Sequence, residues 1–408
     1  MLKFGCASSS EKSSFAAGSQ AAKGALKQGA ISCPDALIAF CSGNIDADEF
    51  FRGMQSVVGT GTPIIGGSAV GIITNDLISY DGYSSGVAAL QLKPGSYQIS
   101  AAGDLSEDGM RAGEKLVEGF SGPFEGSSLL VFYDSLQIVA TAESPPVLNP
   151  SSTLITGLEK RLGPDIPILG AGLLADFHFT LFPKLFSGSC TASDHVAGLL
   201  LGKEINVYYR IMHGCDPLDG IYHHITKAEG AVVYEIDNRP AVEIIDGIYG
   251  DQGWRRKHPV DLLTIGVNYG ERLGDPDESA YVNRLITGAL PDGTGIGMFE
   301  PDLTDGSEIQ FMLRDSSRMI ESAADNASEL VKRILEDKRI PRFGLYIDCA
   351  GRAAALSNTP TEEAAEIQKI LNHYDIPLLG FYSGVEVAPC LQKSRGLDWT
   401  GVLWIIAE

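Results

Sequence analysis

Two glycine-bearing turns carry the side chains of this chain best suited to holding a small polar molecule. In Asp348–Cys349–Ala350–Gly351–Arg352, an arginine closes a turn that follows the apolar run Phe343–Ile347. Its guanidinium is a planar fork matched to a carboxylate, and ligand crevices in α/β sheets lie at the carboxyl ends of strands. Tyr382, Ser383 and Glu386 follow within Gly380–Pro389. Glu386 could meet an ammonium group there, and Tyr382 could offer a hydrogen bond or an apolar face. Cys349, Arg352, Tyr382, Ser383 and Glu386 therefore form the candidate ligand-binding set, with Gly351 and Gly384 letting the backbone come close. The alternative is an internal Arg352–Glu386 bridge with Cys349 as a small buried hydrophobe.

Other reactive types are present without the spacing that chemistry needs. Ser68 sits between Gly66–Gly67 and Gly71, but a nucleophile elbow needs glycine where Val70 stands. His213, Cys215, His223 and His224 could bind a metal or a haem iron, yet they show no paired-ligand spacing, so no metal site is expected. His178, between Phe177 and Phe179, is the candidate axial ligand if the protein holds haem. The glycines of Gly293–Gly297 lack the strand–helix context of a phosphate-binding loop. No nucleophile–base pair can be assembled, so a binding module is expected ahead of an enzyme of small-metabolite metabolism.

The elements that must position these residues come in three similar copies. TPIIGG at Thr62–Gly67, IPILGAG at Ile166–Gly172 and IPLLGF at Ile376–Phe381 are each preceded by an apolar run and a helix-compatible stretch. The preceding runs are Ala36–Phe40, Ser128–Tyr133 and Phe343–Ile347; the runs that follow are Gly86–Leu92, Val196–Leu201 and Gly401–Ala407. Proline enters a strand at its first residue, and glycine marks a close backbone approach. Each copy therefore predicts a strand, a helix, a Pro-led strand, a loop and a strand. Pro63, Pro167 and Pro377 are unequally spaced, unlike the fixed period of a solenoid. Beyond Ile205 the texture changes. Ile205–Ile211, Ala231–Ile236, Arg284–Ile286 and Ile309–Leu313 alternate as antiparallel strands do, and Ser316–Asp337 has the pattern of a long amphipathic helix. The expected fold is α/β: two domains with mixed sheets, 1–204 holding two repeat units and 205–408 holding antiparallel strands plus the third.

Composition narrows the partners. Thirty-one Lys and Arg against 52 Asp and Glu give a net charge of −21, a field that repels phosphate backbones and anionic lipid. No apolar run reaches the roughly 18–20 residues of a membrane span, and the N-terminus lacks the apolar core of a signal peptide. The seven cysteines are scattered, without a C-x-x-C pair, as expected of reduced thiols in a cytoplasmic protein.

Several stretches resemble the FIST family. Gly214–Ile245 is similar to its glycine–cysteine turn followed by T-x-A-E-G and D-x-R-P-A segments. Asp305–Asp315 resembles its strand ending in m-x-R, Asp348–Arg352 its Cys-x-Gly-Arg signature, and Gly380–Pro389 its GFYs-x-GE segment. Gly66–Ile73 is similar to its N-terminal GcStaGeI, with Gly67 and Ile72 in place of the cysteine and glutamate; Val385 stands where glycine is usual before Glu386. The resemblance covers about residues 30–408 and both FIST halves, the N-terminal one meeting the C-terminal one near residue 205. It implies a cytoplasmic sensory module that binds a small molecule such as an amino acid and signals to a protein partner in trans. Some relatives bind haem and sense nitric oxide, which makes a haem-based gas sensor the alternative.

Overall fold

The structure, a computed structural model, describes residues 2–273, 276–357 and 359–408. The three Pro-led segments are equivalent strands. In each unit the Pro-led strand runs parallel to the leading strand, Ala36–Ser42 beside Ile64–Ala69, Ser128–Asp134 beside Ile168–Leu173, and Pro341–Cys349 beside Leu378–Ser383. The same hydrogen bond opens each pair: the amides of Leu37, Leu129 and Gly344 donate to the carbonyls of Pro63, Pro167 and Pro377 at 2.9 Å. Proline lacks a donor but keeps its acceptor, so it can start the ladder from its carbonyl alone. Two residues into each strand comes the glycine that the repeats share. A Cβ on Gly66, Gly170 or Gly380 would meet the carbonyl oxygen of Ala39, Val131 or Tyr346 at 2.1, 1.8 or 2.6 Å. The repeated glycine is there because the two backbones touch.

Each unit also has an opening strand and helix, which complete a sheet ordered opening strand, closing strand, leading strand, Pro-led strand. The opening strands are Lys3–Ser9, Tyr97–Gly103 and Asn206–Met212, and the closing ones Ser85–Gln91, His195–Leu201 and Gly401–Ala407. Beyond the Pro-led strand, each sheet is extended by a hairpin from a different unit. Leu185–Ala192 of the second unit pairs with Ile64–Ala69, Val385–Leu397 of the third with Ile168–Leu173, and Ile72–Ser79 of the first with Leu378–Ser383. Strands thus cross the expected division at residue 205 in both directions. The inner faces of all three sheets share one apolar core, in which Phe40 lies 3.9 Å from Phe381 and 5.2 Å from Phe132 between ring centroids. The leading strands are buried along their apolar runs, with only Pro341 and Arg342 at the start of the third partly exposed, which explains why those runs are continuous.

Of the antiparallel strands foreseen from Ile205 on, the first, Ile205–Ile211, is the third unit's opening strand, and the others form an insertion within that unit, between its opening strand and its long helix Ser316–Glu336. Its sheet is built on Leu263–Asn268, Glu308–Arg314 and His223–Glu229, with Ile265, Phe311 and Trp254 in its own core. Glu308–Arg314 leads directly into Asp315, whose carboxylate caps the long helix at the Ser317 and Arg318 amides. That junction brings the insertion against the end of the third unit's leading strand. Among the described residues no helix is long and apolar enough to cross a membrane.

Candidate functional site

The residues singled out in the two turns do lie side by side. Pairing of the leading and Pro-led strands sets Asp348 beside Tyr382 and Cys349 beside Ser383. They are buried, however, and the expectation of an open crevice lined by them is corrected. Arg352 is fully enclosed, and its fork is filled from within: Nε and Nη2 donate to Glu363 Oε1 and Oε2 at 3.1 and 2.5 Å. Its Nη1 donates to the carbonyls of His213 and Trp399, both at 2.9 Å, and Asp348 Oδ1 lies 3.3 Å from Nε. Burial opposes the charge, and Glu363 and Asp348 more than offset it. The carboxylate that Arg352 was expected to take from a ligand is supplied by Glu363, just ahead of helix Ala364–His373.

Glu386 does not bridge to Arg352 either. Ser383 Oγ lies 3.0 Å from the Asp348 carbonyl and 2.7 Å from Glu386 Oε1. One hydroxyl proton serves both only if the Glu386 carboxyl carries a proton of its own. Burial pushes that carboxyl well above its ordinary range, consistent with this. Asp348 is raised in the same direction, first by burial and then by the charge of Glu363. Tyr382 donates to Glu362 at 2.8 Å. The set is thus a buried polar wall, and Cys349 in it is a buried thiol raised by desolvation.

A cavity of about 580 Å³ opens on the other side of this wall, between the insertion and the third unit. Lys257–Pro259, Asp261, Leu262 and Arg314 come from the insertion, Gly351, Leu356, Ser357 and Trp399 from the unit, with Ser316 and Met319 on the helix joining them. Arg314 is 8% exposed, with its Cζ stacked 4.0 Å over the Trp399 ring. Nη2 donates to the Val260 carbonyl, while Nε and Nη1 have no partner among the described residues. Burial pulls this guanidinium below its ordinary value, and the opposing pulls of Cys215, Tyr249 and Asp261 do not restore it. Three other arginines show what such a fork does when it is filled. Arg352 grips Glu363, Arg284 grips Asp302 and Arg255 grips Asp246, each through Nε and Nη2. Arg314 has the burial without the carboxylate. It was visible in the sequence as the last residue of the m-x-R strand, but nothing in a strand ending tells that a cavity faces it.

The remaining candidates separate. His213 is buried against Glu278 and accepts from the Cys215 amide, His223 pairs with Asp237 at 2.6 Å, and His224 is exposed on the same strand. Among the described residues no three metal-binding side chains cluster. His178 is exposed, and Phe177 and Phe179 pack on Tyr80 and Phe299 instead of around it, so the haem alternative finds no enclosed ligand there. Ser68 Oγ accepts from the Lys184 amide in the first sheet's exchanged hairpin.

The FIST N domain matches residues 35–239 and the FIST C domain residues 241–389. The chain belongs to the FIST family. FIST domains are associated with sensing in signal transduction. An uncharacterized protein of Methanocaldococcus jannaschii is 29% identical over 256 residues, which cover 57% of this FIST chain and 44% of the relative. The chain thus matches less than half the length of that relative. Among solved structures, cyanuric acid hydrolase from A. caulinodans is similar over 100% of this chain and 99% of its own, at 10% identity and a TM-score of 0.35. T. maritima PurL complexed with FGAR is similar at 9% identity and a TM-score of 0.23, over 100% of this chain and 72% of its own. Likenesses this distant say nothing of the chemistry of this FIST chain.

Proposed function

We propose that this protein is a cytoplasmic sensor that binds a small carboxylate metabolite, amino acids included, in the cavity between the insertion and the third unit, and reports it to a protein partner. The observation that carries this reading is the cavity itself, which has in its wall the Arg314 guanidinium, stacked on Trp399 and without a carboxylate partner among the described residues. A buried cation without a counter-ion is costly, and the other filled forks show the partner it lacks. The cavity volume is that of a small-molecule site. Its position suits a sensor, because a ligand there would touch the insertion and the core at once. A binding role is favoured over catalysis by the engagement of the nearby polar groups. Ser357 Oγ is held by the carbonyls of Arg352 and Ala353, and His258 Nδ1 lies against the Thr287 carbonyl.

A thermal-shift panel of small carboxylates and amino acids tests the reading. A binder at about 100 times its dissociation constant adds about 2.7 kcal/mol of stability, and Arg314→Gln should abolish the shift. An equal shift in the variant would place the ligand elsewhere.

A further inference from the structure

Resting on that reading only in that a protein partner exists, we infer that the partner docks through an extended acidic segment, added as a further strand to the free edge of the third unit's opening strand Asn206–Met212. That strand ends its sheet and pairs on one side only, with Gly401–Ala407. No other backbone hydrogen bond among the described residues reaches residues 207–211. Alternate amides and carbonyls of an edge strand point away from its sheet, where an extended segment can take them up. The opening strand of the first unit is not open in this way, because Gln28 Oε1 takes the Cys6 amide. The opening strand of the second, Tyr97–Gly103, carries no charged side chain.

A groove of about 280 Å³ runs beside the third unit's edge, between the strand and the turn of the hairpin Val385–Leu397. Its charged lining residues are Arg210 of the strand and Arg333 of the long helix, both cations in a chain whose net charge is −21. Arg333 is exposed and forms no ion pair among the described residues, and the acid nearest Arg210 is the exposed Glu329, at 3.8 Å. Tyr208 and Arg210 share the strand face turned to that helix, where Tyr208 donates to Asp337 at 2.8 Å. Val207 and Tyr209, on the other face, pack against the shared core. The far wall is apolar, formed by Pro389 and Leu391. Leu391 and Gln392 make a two-residue turn at φ +47° and +70°, a geometry that favours asparagine and glycine. Leu391 holds this place at a conformational cost and stands 49% exposed at the groove. An added strand alternates its side chains between two faces, so acidic residues toward Arg210 and Arg333, alternating with apolar ones, fit the groove. A second copy of the chain fits less well, because pairing edge to edge would bring two sets of these arginines together.

Fluorescence anisotropy of labelled peptides titrated with the full chain tests this inference. One peptide alternates glutamate with valine and a second alternates lysine with valine. Two further glutamate peptides are N-methylated, one on its odd amides and one on its even amides. The glutamate peptide should bind and the lysine peptide should not. N-methylation should abolish binding in one phase and spare it in the other, since an edge bonds alternate amides only. Arg210→Gln and Arg333→Gln should each weaken binding by up to about fivefold, as loss of an exposed ion pair does. Equal binding of the glutamate and lysine peptides, binding untouched by both substitutions, or binding untouched by both N-methylations overturns the inference. Binding of no peptide overturns it as well, and a chain that then sediments as a dimer gives the edge to a second copy. If Arg210→Gln is unfolded by circular dichroism, Arg333→Gln on the exposed helix face decides the same point. Arg314→Gln, which should abolish the thermal shift of the cavity ligand, should leave peptide binding unchanged, so the cavity reading and this inference fail separately.

Discussion

Arg352 and Arg314 approach Trp399 from two directions: the first donates to its carbonyl, and the second stacks on its indole. Both are largely buried, and both stand in stretches that resemble family signatures. Arg352 is closed on all sides by Glu363, Asp348 and two carbonyls, while Arg314, in the wall of the cavity, has no carboxylate partner, and its buried Nε and Nη1 have no partner among the described residues. A buried arginine thus points to a ligand site only where it lines a cavity and its own fold supplies no carboxylate. The two are also linked, since Arg352 fixes the backbone of the residue on which Arg314 rests.

The largest effect expected from this contrast is on stability. Arg352→Ala leaves Glu363 buried without its cation and should cost about 3–5 kcal/mol, measured by urea unfolding. Ligand affinity in the material that remains folded should fall only indirectly, through Trp399. A fully stable Arg352→Ala protein would break the distinction.

A second test uses pH. The Asp348 carboxyl is raised by burial and by Glu363. The folded state therefore holds a proton that the unfolded chain gives up near its ordinary value of about 3.9. Stability from this group is fully present below that value and is lost as pH rises from there toward the folded value. Asp348→Asn cannot titrate and should flatten this decline, which reaches at most about 1.4 kcal/mol per pH unit. Parallel pH–stability curves for the two proteins would show that Asp348 is ionised in the fold.

The smallest effect is expected at Arg314. Arg314→Gln gives up the stack on Trp399 and the bond to the Val260 carbonyl, but it also removes an uncompensated buried charge. Stability without ligand should change by no more than about 1 kcal/mol. A loss as large as that for Arg352→Ala would make Arg314 a structural residue and erase the comparison.

The sequence carried much of this arrangement. Pro63, Pro167 and Pro377 begin equivalent strands because each ladder opens from the proline carbonyl, and Gly66, Gly170 and Gly380 recur because a neighbouring carbonyl leaves no room for Cβ. The hairpin exchange was not legible, since alternation and turn residues mark strands without naming their partners. For the site, Asp348–Arg352 and Gly380–Pro389 were correctly brought together. Their burial escaped notice because it depends on Glu363, which in Thr361–Glu362–Glu363–Ala364 has the composition of a solvated helix start. Arg314 was overlooked for the converse reason: at a strand end beside Asp315 it suggests a surface ion pair, yet Asp315 turns its carboxylate to the helix amides.

The most direct measurement follows the Nε–H resonances of the arginines by ¹⁵N NMR as leucine is titrated into the full chain, with Arg314→Gln and Arg352→Lys used for assignment. The Arg314 Nε–H should shift as the ligand fills the cavity that its guanidinium lines, while the Arg352 Nε–H, bonded to Glu363, stays in place. A saturating titration in which Arg314 does not move, or in which Arg352 moves and Arg314 does not, would contradict the assignment of the cavity beside Arg314 as the ligand site.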